Sequence, residues 1–409
     1  MKKRRPLARG IGGTLFLLVV CAMFLGALIT NANAAAGPKK LQIGMIACLT
    51  GWFAVHDILD ANEAVMAAQM INERGGITVK GEKYEVEVVV EDAKSTLDGV
   101  TAAANKLVFD KKLKLILGPA AFFAGASSPV TTPNKVLSML SFCTNQPGEL
   151  DNTTPYTFLA YDATVGNTFA TISYVKKHYP AVKTMVVVHP DDGSVPYTAP
   201  IFKKGLQDAG FTQVGDVVMY ANEAQDLSPI AEKINARKAD AVLLGNGIAP
   251  HAAALIKGLR ELGNTKPFFS GAIGCSLDVV MKIAGKEAAK NVLMLAITPN
   301  DPSNTPILNE LSKRITTKYG SDTTMLGQSA NSLWVLKQII EAAQSFEPGA
   351  VKAKWETTDK VETFFGPGTV CGDQTYGIKH HVVAHPEPFE IVKDGKVVSA
   401  GYSGGIFIP

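Results

Sequence analysis

The chain alternates short apolar runs with longer segments in which apolar residues recur at helical spacing. The run KKLQIGMIACLTG, residues 39–51, predicts a strand that ends in a glycine turn. In the following segment Ala64, Val65, Ala68 and Ile71 lie at helical spacing, and Gly75-Gly76 ends the predicted helix. Further strands are predicted at YEVEVVVEDA, LKLILGPA and LSMLSFCTN, with helical segments between them. Strands alternating with helices predict βαβ units, and therefore a parallel sheet with helices on both faces.

The same alternation begins again after residue 160. Its predicted strands are KTMVVVHPDD, TQVGDVVMY, DAVLLGNG, KPFFSGAIG and NVLMLAITP. Two successive α/β units in a chain of 409 residues predict two domains. The C-terminal segment FEIVKDGKVVS predicts two strands that turn on Asp-Gly, a favoured hairpin signal. Because parallel α/β units do not end in such a hairpin, we expect this pair to pack on a domain edge.

The segment LILGPAAFFAG, residues 115–125, places two phenylalanines where a buried strand ends. Adjacent residues on a strand point to opposite faces, so one of Phe122 and Phe123 is expected to meet solvent. Ligands of open α/β sheets bind beyond the carboxyl ends of the strands. The loops expected to line a site are 49–57, 119–126, 142–146, 189–197, 245–251 and 270–276. The alternative is that these rings cap the core under a loop.

The first 34 residues have the pattern of a targeting segment. A basic start, MKKRRPLARG, precedes the apolar run IGGTLFLLVVCAMFLGALI and an A-x-A signal at residues 32–34. This pattern predicts a secretory signal peptide that is cleaved near Ala34. A retained membrane anchor stays open, since the apolar run is long enough to span a bilayer. Lipidation at Cys21 also stays open, although Val20 is bulkier than the residue such a site prefers.

Charge and cysteine content exclude several classes of protein. The chain carries 40 basic and 37 acidic residues, but residues 1–34 hold five of the basic ones and no acid. The near balance of the rest gives no sign of nucleic-acid binding. Cys48, Cys143, Cys275 and Cys371 are far apart and form no C-x-x-C metal pattern. Free buried thiols and disulfides, including a Cys48–Cys143 pair, are both compatible with an exported protein.

No catalytic or metal motif follows a predicted strand. GASSP, residues 125–129, lacks the final glycine of a G-x-S-x-G elbow, and no H-E-x-x-H, Walker loop or G-x-G-x-x-G is found. In KHHVVAHPE the adjacent His380 and His381 would face opposite sides of a strand, so with His385 they form a poor chelate. The absence of these motifs argues against an enzyme, and the sequence predicts no catalytic residue, cofactor or metal.

Four segments together resemble a known family: IGMIACLTGWFA, EAVMAAQMINERGGI, VEDAKSTLDGVTAAANKLV and LILGPAAF. They resemble the type I periplasmic solute-binding proteins of ABC transporters, in the branched-chain amino acid receptor group, from about residue 40 to the end. The resemblance implies an α/β fold of two doubly wound parallel-sheet lobes that close by hinge bending. The implied hinges lie near 160–164, 296–300 and 354–362. Lobe 1 is expected at 39–162 plus 299–355, and lobe 2 at 163–298 plus 356–409.

Several positions depart from the family's pattern. The hydroxyl residue that bonds the ligand carboxylate falls at Phe122, and the glutamate that pairs with the ligand ammonium falls at Ala272 or Ile273. The tyrosine that closes the pocket becomes Gly247. A buried ammonium without a carboxylate partner costs at least a few kcal/mol, on the order of 2–5. The departures therefore argue against a free α-amino acid as the ligand.

With these departures, the resemblance implies a periplasmic receptor for a small hydrophobic, aromatic carboxylate. The receptor would be a monomer that serves an ABC permease and ATPase complex in the inner membrane. A branched-chain amino acid or small amide receptor, and a ligand-sensing domain for a regulator, stay as alternatives. His56 and the 143–145 loop would hold the polar end of the ligand. The expected ligand-binding residues are Trp52, Phe53, His56, Ala121, Phe122, Phe123, Cys143, Thr144, Asn145, Tyr197, Asn246, Gly247 and Ala272.

Overall fold

The computed structural model describes residues 38–141, 145–161, 164–221, 223–272, 276–320 and 325–409. The predictions of a signal peptide, an anchor and lipidation fall within residues 1–37 and lie outside the described residues. In the described part of the chain, no helix is both long and apolar enough to cross a membrane.

The described residues form strands β1–β17 and helices α1–α12. The strands are β1 Lys39–Ala47, β2 Ile77–Val79, β3 Glu82–Asp92, β4 Leu115–Leu117, β5 Leu137–Met139, β6 Thr157–Phe158, β7 Thr184–Asp191, β8 Thr212–Gln213, β9 Val218–Ala221, β10 Ala241–Leu244, β11 Phe268–Ser270, β12 Val292–Leu295, β13 Lys360–Thr363, β14 Gly366–Cys371, β15 Val382–Ala384, β16 Pro388–Lys393 and β17 Lys396–Tyr402. The helices are α1 Ala54–Glu73, α2 Leu97–Asn105, α3 Ala124–Thr131, α4 Val165–His178, α5 Val195–Ala209, α6 Ser228–Ala236, α7 Ala249–Glu261, α8 Leu277–Ala284, α9 Pro306–Tyr319, α10 Gln328–Ala343, α11 Pro348–Trp355 and α12 Asp373–Tyr376.

Two α/β sheets carry the fold, as the alternation of strands and helices predicted. The first has the strand order β2-β3-β1-β4-β5-β6, in which β1, β4, β5 and β6 run parallel. The second has the order β17-β16-β12-β11-β10-β7-β8, with β9 also paired to β7. Its central strands β7, β10, β11 and β12 are parallel. A third, smaller sheet, β13-β14-β15, is antiparallel.

The central strands of the second sheet are apolar on both faces because helices cover both. Along β7, Val186 and Val188 belong to the core on one face, while Met185 and Val187 belong to the core on the other. Parallel strands buried on both sides need apolar side chains at successive positions, not only at alternate ones. The run TMVVV in the sequence therefore already specified an interior strand.

The C-terminal strand pair forms the predicted hairpin. Asp394 and Gly395 connect β16 to β17 with φ of +53° and +71°, as a two-residue turn with both residues left-handed requires. β16 pairs antiparallel with β12, and β17 lies outside it. The expected packing on a domain edge is confirmed, since the hairpin extends the edge of the second sheet.

The segment between α11 and β16 belongs with the first sheet. Val361, Phe364 and Phe365 lie in the same hydrophobic core as Trp355 and the first-sheet strands. β16 then joins the second sheet, so the chain passes between the cores at residues 385–387. The apolar residues of β13 and of the turn after it pack against the first core, and the expected hinge at 354–362 stays a prediction. Movement of the two cores as lobes stays a prediction.

Buried groups connect residues 385–387, where the chain enters the second sheet, to Tyr161, which follows the last strand of the first sheet. The Tyr161 hydroxyl donates to Glu387 Oε2 at 3.1 Å. The His385 ring stacks on Phe365 with 4.7 Å between centroids and lies 4.9 Å from the Tyr161 ring. Burial lowers the pKa of His385 to about 4, so the ring is neutral at pH 7. The two passages are therefore bonded to each other through groups withdrawn from water.

The histidines of KHHVVAHPE serve packing in this fold. His381 is fully buried, stacks on Phe158 with 4.0 Å between centroids, and its Nδ1 lies 2.6 Å from the carbonyl oxygen of Thr157. His385 packs between two aromatic rings as described above. Among the described residues, no group of three His, Cys, Asp or Glu side chains is placed to hold a metal ion.

Two glycines provide a matched test of the turn geometry. Gly76 and Gly81 have φ of +75° and +79°, and a methyl group at Gly76 would lie 2.2 Å from the Tyr84 carbonyl oxygen, whereas Gly81 has open space. Gly81→Ala is expected to cost about 1–2 kcal/mol of unfolding free energy, the cost of the left-handed backbone alone. Gly76→Ala is expected to cost clearly more, because of the additional clash. Urea unfolding of both variants measures the difference, and equal losses would contradict the steric contact.

Candidate ligand-binding site

Four aromatic rings pack together at the carboxyl edge of the first sheet. The aromatic cluster consists of Trp52 and Phe53 after β1, and Phe122 and Phe123 after β4. Phe122 lies 4.6 Å from Phe123 and 5.0 Å from Phe53 between ring centroids, the latter pair edge-to-face. The Trp52 ring stacks on Phe122 at 5.7 Å. Such tilted and offset contacts are the favourable arrangements for aromatic pairs.

The two adjacent phenylalanines have different environments. A 3₁₀ turn, Ala121–Phe123, follows β4 and turns successive side chains away from one another. Phe123 is 5% exposed and belongs to the first core, as does Ala121. Phe122 and Phe53 are half-buried, and Trp52 is 70% exposed. One ring of the pair therefore supports the core, and the other lies at the sheet edge with access to solvent.

The loop that carries Trp52 is held by two carboxylates. Asp57 Oδ2 accepts from the backbone N–H of Cys48 at 2.7 Å, and Asp92 Oδ1 accepts from that of Leu49 at 2.9 Å. α1 begins at Ala54, inside the segment expected to be a loop, and no side chain caps its first turn. The two acids therefore fix the backbone between β1 and α1.

Asp57, Asp60 and Glu63 form a buried acidic column on α1, at a spacing of three residues. Asp60 accepts from the backbone N–H of Ser329 at 2.8 Å, and Glu63 from that of Leu326 at 2.8 Å and of the next residue. Ser329 lies in the first turn of α10 and the other two donors come just before that helix, where N–H groups lack helical partners and the dipole favours negative charge. The acidic column therefore connects β1 to the N-terminus of α10.

Burial changes the protonation of groups around this column. It raises the pKa of Glu63 to about 8 and also raises the pKa of Asp60, because loss of hydration outweighs the N–H bonds that each carboxylate accepts. Burial, together with the charge of Asp57, raises the pKa of the Cys48 thiol to about 11. Cys48 is a free buried thiol and Cys371 is also buried, whereas Cys143 and Cys275 lie outside the described residues.

His56 joins the aromatic cluster to the acidic column. Its ring stacks on Phe53 with 4.6 Å between centroids and 20° between planes. Its Nδ1 lies 3.1 Å from Asp57 Oδ1, and its side chain is 21% exposed. A polar group therefore stands next to the aromatic rings at the position where we expected the polar end of a ligand.

At the second sheet, Asn246 links the loops that follow β7 and β10. Asp192 Oδ2 accepts from Asn246 Nδ2 at 3.3 Å, and Asn246 Oδ1 accepts from the Gly247 N–H at 2.9 Å. Asp192 also accepts from the Ser194 N–H at 2.9 Å, just before α5. Tyr197, in the first turn of α5, is 39% exposed. These residues shape the sheet edge that carries the second group of predicted site residues.

The other predicted site residues of the second sheet differ in exposure. Ala272 is buried in the second core, and its N–H donates to Ser270 Oγ at 3.2 Å. Gly247 has a φ of +149°, and a Cβ there would lie 2.8 Å from the Tyr220 hydroxyl. The Tyr220 hydroxyl therefore occupies the space that a side chain at Gly247 would need.

The loop after β5 is described only in part. Asn145 is half-buried with a φ of +60°. Cys143, Thr144 and Ile273 lie outside the described residues, and their predicted roles stay predictions. The structure thus brings together Trp52, Phe53, His56, Phe122 and Phe123, and it places Ala121 beneath them.

Reasoning from sequence missed the acids that organise the site. Residue 57 closed an expected loop, 49–57, and no role was predicted for Asp60 or Glu63. A signal was available, because acids spaced three residues apart in an otherwise apolar helix follow one face. Their partners at residues 326–329 are far away in the chain, so the sequence did not reveal them.

The chain has two α/β sheets, and each carries candidate site residues at the carboxyl ends of its strands. This is the arrangement expected of a ligand-binding α/β protein. Residues 40–386 match the family described as periplasmic binding protein, and the chain belongs to that family. One curated relative is the Leu/Ile/Val-binding protein BraC3 from Rhizobium johnstonii, 28% identical over 243 residues. The match covers 59% of this chain and 63% of the relative, just under two thirds of its length.

Solved structures extend this likeness over most of the chain. The leucine-binding protein LivK from Thermotoga maritima superposes with a TM-score of 0.67 at 21% identity, covering 88% of this chain and 98% of its own. LivJ from Streptococcus pneumoniae, solved with isoleucine, gives 0.67 at 20%, covering 89% and 99%. An amino acid ABC transporter substrate-binding protein from Pseudomonas fluorescens gives 0.71 at 15%, covering 91% and 97%. These comparisons confirm the type I periplasmic binding protein fold and the resemblance to the branched-chain amino acid receptor group.

The two phenylalanines are expected to differ in their effect on stability. Phe123→Ala removes a core ring and is expected to cost about 3–5 kcal/mol of unfolding free energy. Phe122→Ala removes a half-buried ring and is expected to cost about half as much or less. Denaturant unfolding followed by circular dichroism gives both values. A larger loss for Phe122→Ala would contradict the division of the pair between core and edge.

The acidic column predicts a dependence of stability on pH. Between the ordinary pKa of Glu63, 4.5, and its folded value of about 8, the folded chain keeps a proton that the unfolded chain releases. Stability therefore falls as pH rises through this range, by about 1.4 kcal/mol per pH unit for this group. Asp60 contributes in the same direction.

Glu63→Gln cannot titrate, so it is expected to reduce this slope even if the variant is less stable at every pH. Urea unfolding at pH 5, 6, 7 and 8 compares the slopes of the two proteins. Parallel slopes would mean that Glu63 is ionised in the folded state throughout.

Proposed function

We propose that this protein is the substrate-binding component of an ABC importer and binds a small hydrophobic, aromatic carboxylate in the periplasm. It would close its two lobes on the ligand and deliver it, as a monomer, to a permease and ATPase complex. The observation that carries the proposal is the aromatic cluster, whose half-buried and exposed rings lie at the strand ends where ligands of this fold class bind.

The aromatic cluster supports an apolar, ring-containing ligand. Trp52, Phe53 and Phe122 offer ring surface to solvent, which is unusual unless that surface is covered in a functional state. Covering a ring of this size gains about 1.5–3 kcal/mol from burial, and aromatic pairing adds about 0.5–1.5 kcal/mol. A ligand with an aromatic body would gain both contributions.

The polar end of the ligand would lie near His56 and the 143–145 loop. His56 is the imidazole side chain stacked on the cluster, and its Nδ1 lies 3.1 Å from Asp57 Oδ1. In the second core, buried Ala272 falls where the resemblance expects a glutamate for an ammonium group. A carboxylate without an α-ammonium fits this combination better than an amino acid.

A branched-chain amino acid receptor is the second candidate. It is favoured by the printed names of the relatives, a Leu/Ile/Val-binding protein and a LivJ solved with isoleucine. A ligand-sensing role for a regulator, in place of delivery to a permease, is compatible with the same site and the same fold.

A thermal-shift panel on residues 35–409 decides between these ligands. Benzoate and phenylacetate are expected to raise the melting temperature by several degrees, and their amides by less, because the amide carries no charge. Leucine and isoleucine are expected to have little effect. A large shift with leucine and none with the aromatic acids would transfer the assignment to the amino-acid candidate.

Phe122→Ser tests the ring at the sheet edge, with Phe109→Ser as the matched control. Phe109 is an exposed phenylalanine in the π-helical turn Lys106–Asp110 and is not part of the aromatic cluster. Loss of about 1.5–3 kcal/mol of contact predicts a Kd for the aromatic acid about 10- to 100-fold weaker in Phe122→Ser. Calorimetry should find the control unchanged. Equal affinities in the two variants would place the Phe122 ring outside the pocket.

A further inference from the structure

We infer that residues 403–409, which follow β17, form a strap that ties the second sheet to the first core and restrains the opening of the two lobes. The inference goes beyond the proposed function and shares with it only the movement of the lobes. The strap lies outside residues 40–386, which match the family. Its role is therefore argued from the contacts of this chain alone.

One end of the strap is fixed where the chain passes between the cores. β17 belongs to the second sheet through its antiparallel pairing with β16. Directly after β17, the Ser403 N–H donates to the Glu387 carbonyl oxygen at 2.9 Å, and Ser403 Oγ accepts from the Glu387 N–H at 3.0 Å. The backbone and the side chain of one residue therefore hold the start of the strap beside residues 385–387.

The other end of the strap is anchored on the first core and on the third sheet that packs against it. Ile408 is fully buried in a hydrophobic cluster that contains Leu159, the residue after β6. The Ile408 carbonyl oxygen accepts from the Gly372 N–H, just after β14, at 2.9 Å. The main-chain oxygen of Pro409 accepts from the Thr375 N–H at 2.8 Å. A buried side chain and two backbone hydrogen bonds therefore dock this end.

The residues between the two ends differ in their environment. Gly404 and Gly405 are exposed, and a Cβ at either position would meet open space. Ile406 is half-buried and packs both on the core that contains Phe389 of β16 and on the cluster around Ile408. Phe407 is 64% exposed. The strap therefore contacts both cores through its two isoleucines, and its glycine pair is the part that bends most easily.

The short length of the strap makes it a restraint. Even when fully extended, the chain between Ser403 and Ile408 spans at most about 18 Å. Opening that carries the anchored end away from residues 385–387 must first straighten this segment and then pull Ile408 into water. That step exposes an isoleucine side chain and breaks the hydrogen bonds from Gly372 and Thr375, and both changes are unfavourable. The docked strap therefore limits how far the lobes separate.

Ile408→Ala tests the anchor, with Phe407→Ala as the matched control, on ligand-free residues 35–409. Hydrogen exchange at the Gly372 and Thr375 amides reports whether the strap is docked, and small-angle X-ray scattering reports the separation of the lobes. In Ile408→Ala we expect exchange at both amides to become about 10-fold faster or more, because a buried side chain is truncated. We also expect a larger radius of gyration. Phe407→Ala should match the wild-type protein in both measurements.

A second variant lengthens the strap and leaves its anchor intact. Insertion of Gly-Ser-Gly-Ser between Gly404 and Gly405 falls at exposed residues, where added chain is well tolerated. The Gly372 and Thr375 amides should keep their protection, because Ile408 stays in its cluster. The radius of gyration should nevertheless increase, because a slack strap no longer limits opening. This variant keeps the test decisive even if Ile408→Ala does not fold.

Three results would overturn the inference. Unchanged exchange at Gly372 and Thr375 in Ile408→Ala would show that this side chain does not hold the strap. An unchanged radius of gyration in the lengthened variant would show that the strap does not restrain the lobes. The same increase in Phe407→Ala would show that any change in the segment has this effect. Because no ligand is used, these results leave the proposed ligand class standing, and failure of benzoate to bind leaves the strap standing.

Discussion

The burial of three carboxylates on one helix is the constraint on which the first core and its site depend. Asp57, Asp60 and Glu63 lie on α1 with almost no exposure, and each accepts N–H groups that would otherwise lack partners. A buried carboxylate without partners would cost several kcal/mol, about the size of a domain's net stability. The column therefore admits one relative placement of β1, α1 and α10, and that placement carries the aromatic cluster.

The site combines opposite physical demands within a few residues. In the proposed site the rings offer apolar surface that a ligand would cover, while His56 and Asp57 are polar groups that must stay hydrated or paired. The proposed ligand, with an aromatic body and one anionic end, would meet both demands at once. In the second core, Ala272 is buried and supplies no acid.

The connection between the cores also depends on buried polar groups that are hydrogen-bonded. Tyr161 and Glu387 come from different passages of the chain and meet in a buried hydrogen bond beside the His385 ring. Buried hydrogen bonds of this kind fix the geometry. When they break, their donors and acceptors are left without partners and away from water, which costs more free energy than breaking an exposed hydrogen bond. The apolar face of β13 and β14 keeps the third sheet on the first core, so the passage lies after β15.

The sequence by itself determined the two α/β units, the interior strand at TMVVV, the Asp-Gly hairpin and the aromatic residues after β1 and β4. These features follow from local periodicity and turn chemistry, which act between residues close in the chain. Only the tertiary structure decided which phenylalanine of the adjacent pair is buried, where the chain passes from β15 to the second sheet, and what the acids of α1 bind. Asp60 and Ser329 are 269 residues apart, and a contact over that separation leaves no pattern in the local sequence. It arises because burial forces every carboxylate to find a donor wherever the fold supplies one.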